Sequence, residues 1–286
     1  MEQFPKPRAD DGHLRETRFI RPPGRLPTLD LREIYRSREL ISVFVRRGIA
    51  VRYGQMALGV AWSFFEPLGL LALTSVVFGI MIRVPTGEYP YPVFVFAALI
   101  PWLYFNRATN GAAGSLQEHI GIISKVYFPR VLLPIAAVIR EFLDSAVLFL
   151  LLLALAWLYG YPPNWRAVLM PLLLVYLSVP ALGVGLSVGA ISIKFRDFKP
   201  LLALVLQAGF YVTPIFYPAE LVPAAIRPLY ELNPMYWGVE IARWITLSRP
   251  LAITPSFYGS VAVSGAALAL GYFVFAYYER GAVDAQ

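Results

Sequence analysis

Six stretches of this 286-residue chain are each apolar over the roughly 17 to 25 residues a helix needs to cross a bilayer's hydrocarbon core. They run approximately from Val60 to Ile82, Tyr91 to Ala108, Val131 to Tyr159, Val168 to Ile193, Pro200 to Tyr217 and Phe257 to Tyr278. Turn-forming residues separate them at Pro85-Thr86-Gly87, Asn110-Gly111, Gly160-Tyr161-Pro162-Pro163 and the polar run Lys194 to Lys199. Hydrophobic residues make up 58% of the chain and charged residues only 15%, below the roughly 25% that covers a soluble surface. Water is the wrong solvent for such a composition. The expectation is an all-α integral membrane protein with six transmembrane helices. Without cysteine, the chain has no disulfide framework, thiolate metal site or cysteine nucleophile.

Charge sets the orientation. Residues 1–59 hold 12 of the 25 Lys and Arg. With the amino terminus inside, 18 basic residues fall on inner segments and five on outer ones: Arg83, Arg166, Arg227, Arg243 and Arg249. This asymmetry predicts that both termini are cytosolic. Three regions follow: a disordered basic cytosolic arm over 1–28, cytosolic and interfacial helices over 29–59, and the six-span domain over 60–280. In the second, Asp30 and Glu33 can cap a helix start. Leu40, Ile41, Phe44 and Val51 share a helical face, with Glu39 and Arg46 opposite and Arg47 and Arg52 at its borders. That pattern suits a helix in the inner headgroup layer or one packed on a cytosolic partner.

The stretch Ala219 to Leu247 is apolar but cut by Pro223, Pro228 and Pro234, and charged at Glu220, Arg227, Glu231, Glu240 and Arg243. A lipid-facing span does not tolerate that load. Two re-entrant half-helices on the outer face between the fifth and sixth spans would fit, as would an ordinary external loop.

No G-x-x-x-x-G-K-[ST] or H-E-x-x-H occurs, and His13 and His119 lack metal-ligand spacing. If the chain moves something against a gradient, the energy must come from a partner or an ion. The ionisable groups within spans are Glu66, Arg107, Arg140, Glu141 and Asp144. Arg140 and Asp144 stand at i and i+4, where they can pair. A proton relay would distribute carboxylates over more spans.

Arg52-Tyr53, Leu58-Gly59, Trp62 and Glu66-Pro67 resemble the start of the first span in ABC-2 type polysaccharide export permeases. Lys125-Val126-Tyr127-Phe128-Pro129-Arg130, Phe195-Arg196-Asp197, Thr213-Pro214-Ile215-Phe216-Tyr217-Pro218 and Asn233-Pro234 are similar to the same family in order and spacing. The resemblance covers roughly residues 30–280 and is strongest to the permeases of O-antigen exporters, with capsule and teichoic-acid permeases close by. Residues 1–28 depart from the shorter family pattern.

The resemblance implies a homodimer in the bacterial inner membrane, paired with two copies of a separate ATPase that binds ATP and magnesium. This chain would hold no cofactor or metal and would pass a polyprenyl-linked polysaccharide outward. It further implies a coupling helix around Gln117, Glu118, His119, Lys125 and Tyr127, a second ATPase contact at Phe195, Arg196 and Asp197, and an outer gate at Tyr217, Pro218, Asn233 and Pro234. For the lysines, simple topology charge explains as much. Trp62, Phe65, Trp102, Tyr104 and Phe105 would line the substrate channel, or form the aromatic belt common to membrane proteins. Competing readings are an ABC-2 exporter of a small lipid or drug, and an enzyme acting on polyprenyl-phosphate sugars, for which Asp10-Asp11 are the only adjacent acids.

Overall fold

The computed structural model describes residues 35–54, 62–123, 125–126 and 128–281. The basic arm, Asp30, Glu33, Leu58-Gly59 and Tyr127 lie outside the described residues. In chain order the helices are α1 (Arg38–Gly54), α2 (Trp62–Thr74, continued by π-helical Ser75–Met81), α3 (Tyr91–Glu118), α4 (Ile120–Ile123), α5 (Leu132–Leu158), α6 (Met170–Lys194), α7 (Phe198–Val212), α8 (Arg227–Glu231), α9 (Pro234–Leu247) and α10 (Pro255–Gly281). Short 3₁₀ turns cover Trp165–Leu169 and Ala219–Leu221. No strand occurs among the described residues.

Four helical stretches are long and apolar enough to cross a membrane: Phe64–Met81, Leu132–Leu158, Trp165–Lys194 and Pro255–Tyr278. Phe198–Val212 is apolar but shorter, about 22 Å at 1.5 Å per residue. The expected fifth span is thus cut short where Thr213 turns to extended backbone. The expected second span is lengthened instead, because α3 continues through Asn110-Gly111 to Glu118. Gly111 breaks nothing there. A Cβ on it would lie 3.4 Å from the Arg140 guanidinium and 3.6 Å from the Ala137 side chain, so this glycine serves helix packing. The other breaks fall as the sequence places them, and Gly160 adopts φ +85° just past the end of α5.

Helix α3 is the centre of the fold. It packs against α5, α6 and α9, and more lightly against α2 and α7. Every residue from Val93 to Tyr104 is buried, which explains the continuous apolar run there. α10 lies along α6 on a seam of small residues: a Cβ on Gly183 would overlap the Ala267 carbonyl, and one on Gly271 would overlap that of Gly183. Close backbone approach is how helices associate where lipid is as apolar as their side chains.

That seam gives a test. Gly271→Val forces two backbones apart and should destabilise the protein by about 3 kcal/mol, the upper end for overpacking. Gly265→Ala on the same helix meets open space and should not lower the thermal unfolding temperature in detergent, since alanine is the better helix former.

Candidate functional site

At the charged end of the bundle, α1 is joined to α5 by ions. The inward face of α1 carries Ile41, Phe44, Val45, Gly48 and Arg52, the i, i+3, i+4, i+7 pattern of one helical side. Leu40 and Val51, expected on the apolar stripe, are exposed. Phe44 packs on Phe128 at 5.4 Å and meets His119 edge-on at 5.5 Å. A Cβ on Gly48 would stand 2.9 Å from Arg140, so the Arg140 side chain lies directly on this glycine.

Arg52 donates to both Glu141 oxygens at 2.6 and 2.9 Å and to Asp144 at 2.5 Å. Arg140 donates to Glu141 through Nε at 3.2 Å and Nη2 at 3.1 Å. The expected Arg140–Asp144 pair is therefore replaced. Arg140 turns to its neighbour Glu141, and Asp144 is taken by Arg52 from a helix 92 residues away. Glu141 is 1% exposed, and two guanidiniums satisfy it.

The segments expected to meet an ATPase lie together at this end. Gln117 Nε2 donates to the Ser192 carbonyl at 3.1 Å, joining the end of α3 to the end of α6. His119 breaks the helix, its Nδ1 2.9 Å from the Ser115 carbonyl. Beyond it the single turn α4 and the bend at Val126 expose Ile120 and Val126, with Glu118 and Lys125 also exposed. Phe195, Arg196 and Asp197 are exposed between α6 and α7, with the Lys194 ammonium 5.3 Å from the Phe195 ring centre.

The opposite end is organised by Arg243, which is fully buried. It pairs with Glu240 at 2.9 Å, donates to the Ile215 carbonyl at 2.9 Å, and its guanidinium carbon lies 3.6 Å from the centre of the Phe94 ring. One side chain thereby ties α9, the turn after α7 and the start of α3. Arg227 donates to the Glu220 and Val222 carbonyls, and Arg249 to the Glu220 carboxylate at 2.5 Å. Burial pushes that carboxyl up, but its backbone hydrogen bond and the Arg249 and Arg243 charges outweigh burial and hold it below the usual range.

Of the residues expected at an outer gate, Tyr217 donates to the Val212 carbonyl at 2.9 Å and Pro218 is buried. Asn233 caps α9, accepting from Met235 N–H at 3.0 Å, and Pro234 is the first helical residue. The stretch from Ala219 is thus a 3₁₀ turn, a five-residue helix and the 14-residue α9.

The expected channel aromatics divide. Tyr104 is fully buried and hydrogen-bonds Ser178. Trp102, 5% exposed, packs on Phe210 at 5.6 Å. Both belong to the core, a correction that follows from α3 being the central helix. Phe65 is exposed and Phe105 half-buried. Trp62 opens α2, and its side chain lies outside the description.

The ion cluster yields a second test. Arg52→Met leaves Glu141 and Asp144 with one cation fewer in a buried site and should cost about 3 kcal/mol in denaturant titration of the purified protein. Adding Glu141→Gln and Asp144→Asn to the same chain should restore most of that loss.

The ABC-2 type transporter family matches residues 39–247 of this chain, from α1 through α9. The O-antigen export system permease protein RfbA of Myxococcus xanthus is 28% identical over 207 residues, covering 72% of this chain and 79% of its own length. RfbA of Klebsiella pneumoniae is 27% identical over 69% of this chain and 76% of its own. The polysialic acid transport protein KpsM of Escherichia coli is 24% identical over 69% and 77%. With a family match over most of its length, the chain belongs to the ABC-2 type transporter membrane family.

Proposed function

We propose that this chain is the channel-forming subunit of an ABC transporter that exports a lipid-linked surface polysaccharide of O-antigen type across a bacterial inner membrane. The observation that carries the reading is the family match, which includes the α1–α5 ion cluster, the α4 turn and the Arg243 hub in one continuous segment. The relatives are named for O-antigen and capsule polysaccharide export. Their names favour a polysaccharide over a small lipid or drug, and over a membrane enzyme acting on polyprenyl-phosphate sugars.

In this reading α2, α3, α5, α6, α7 and α10 are six spans, and the positive-inside asymmetry puts both termini and the α1–α4 end in the cytosol. The subunit works as a homodimer with two copies of an ATPase, which binds ATP and magnesium. The chain forms and breaks no bond. Its exposed α4 turn and Phe195 to Asp197 form the ATPase-facing surface. Displacement of α4 reaches α1 through the contacts of Phe44 with His119 and Phe128, and reaches the spans through the Arg52–Glu141 bridge. The Tyr217–Pro218 turn and the Asn233–Pro234 helix start flank the exit, held to α3 by Arg243.

Purification from native membranes by a carboxyl-terminal tag should recover a Walker-motif ATPase in about equal amount. Ile120→Asp, which places a charge on the exposed coupling turn, should lower that recovery about tenfold, the effect of roughly 1.4 kcal/mol at an interface, with the subunit itself still folded. Absence of any ATPase from a folded wild-type preparation would contradict the proposal.

A further inference from the structure

Between α2 and α7, α3 presents a polar floor that none of the roles above uses. Trp102, Phe105 and Ala113 of α3 meet α7 through Phe210, Leu206 and Leu202, and Arg107 meets α2 by an ion pair with Glu66 at 2.7 Å. At 100° per residue, Asn106 and Asn110 fall in the angular gap between those two contacts. Asn110 is exposed and Asn106 half-buried, on a helix whose residues 93–104 and 112–116 are all buried. Asn110 Nδ2 donates to the Asn106 carbonyl and side-chain oxygen at 3.0 and 3.1 Å. Glu66 is 58% exposed, and the Phe65 ring beside it is equally open at 58%.

The depth of this floor matters. The charged groups of the α1–α5 cluster reach as far along α3 as Gly111, against which the Arg140 guanidinium lies. Asn110 lies next to that level, and Arg107 and Asn106 stand roughly 6 and 8 Å further along the helix. Two amides and an exposed carboxylate at that depth do not face lipid, where each unsatisfied polar group costs several kcal/mol. They face water or a polar solute.

The chemistry of that solute follows from the set. Glu66 and Arg107 neutralise one another, so the floor does not select an anion. Asparagine amides both donate and accept, as hydroxyl groups do. Phe65, the sequence neighbour of Glu66, exposes its ring, and a pyranose has a matching division into apolar C–H faces and a hydroxyl edge. We propose that Glu66, Asn106, Arg107 and Asn110, with Phe65 alongside, form a glycan-contacting track on the inner half of the conduit, binding sugar hydroxyls without net charge. This rests on the polysaccharide reading and adds to it the residues that touch the polymer.

The chain has no cysteine, so Asn110→Cys and Leu150→Cys each introduce a single thiol, the latter at an exposed apolar position of α5. Native membranes holding the whole exporter would be treated with a charged, water-soluble thiol reagent, from cells that make their lipid-linked polysaccharide and from cells blocked in its synthesis. Since only the hydrated thiolate reacts, labelling at Asn110→Cys should be about tenfold faster than at Leu150→Cys, and about threefold slower when polysaccharide is present. No labelling of Asn110→Cys in an exporter that still exports would overturn the track, as would labelling indifferent to polysaccharide. Disulfide formation between two copies at Asn110→Cys would assign the face to a subunit contact and overturn it too. ATPase recovery with the unmodified chain tests the polysaccharide reading independently, so the two failures are distinguishable.

Discussion

Glu141 is a carboxylate at 1% exposure in an apolar helix, and the charged end of the molecule is arranged around it. An isolated buried carboxylate is not tolerable, and replacing a whole buried ion cluster by apolar residues is often neutral or stabilising. Its retention therefore points to something other than stability. What it does geometrically is hold Arg52 at the end of α1 and Arg140 on its own helix, fixing α1 across α5. α1 contributes no span, yet it touches both the segment after α3 and the middle of α5. An ion pair of fixed length transmits displacement between elements that lipid and apolar contacts would let slide.

Arg243 plays the corresponding part at the other end. It is fully buried, and its partners come from α9, from the turn that ends α7 and from α3. α3 thus joins two polar assemblies, one close to its Gly111 and one at Phe94 near its start. α3 packs against α2, α5, α6, α7 and α9, so one continuous helix connects the two assemblies.

The sequence made the helical class, four of the spans and most of the loops legible, because apolar length and Gly/Pro punctuation are local signals. It misread Asn110-Gly111 as a break, since only the approach of Arg140 shows that this glycine serves packing. The Arg140–Asp144 pairing failed for a similar reason: i, i+4 spacing offers a partner, but Arg52, remote in sequence, competes for it. Trp102 and Tyr104 were grouped with Phe65 and Phe105 by residue type, whereas position on α3 puts the first two in the core. Arg243 was visible as a charge in an apolar stretch, but its role needed three distant elements to be in place. The family motifs around Phe195 and Asn233 mark a helix junction and a helix cap, features that sequence spacing can reveal.

The central claim is that this subunit carries polysaccharide outward when a partner hydrolyses ATP. The direct measurement uses inverted membrane vesicles containing this chain and its ATPase, with lipid-linked polysaccharide on the exposed cytosolic face. The account predicts that the glycan becomes sequestered in the lumen only when ATP and both subunits are present. Sequestration that proceeds equally without this chain, or without ATP, would contradict it.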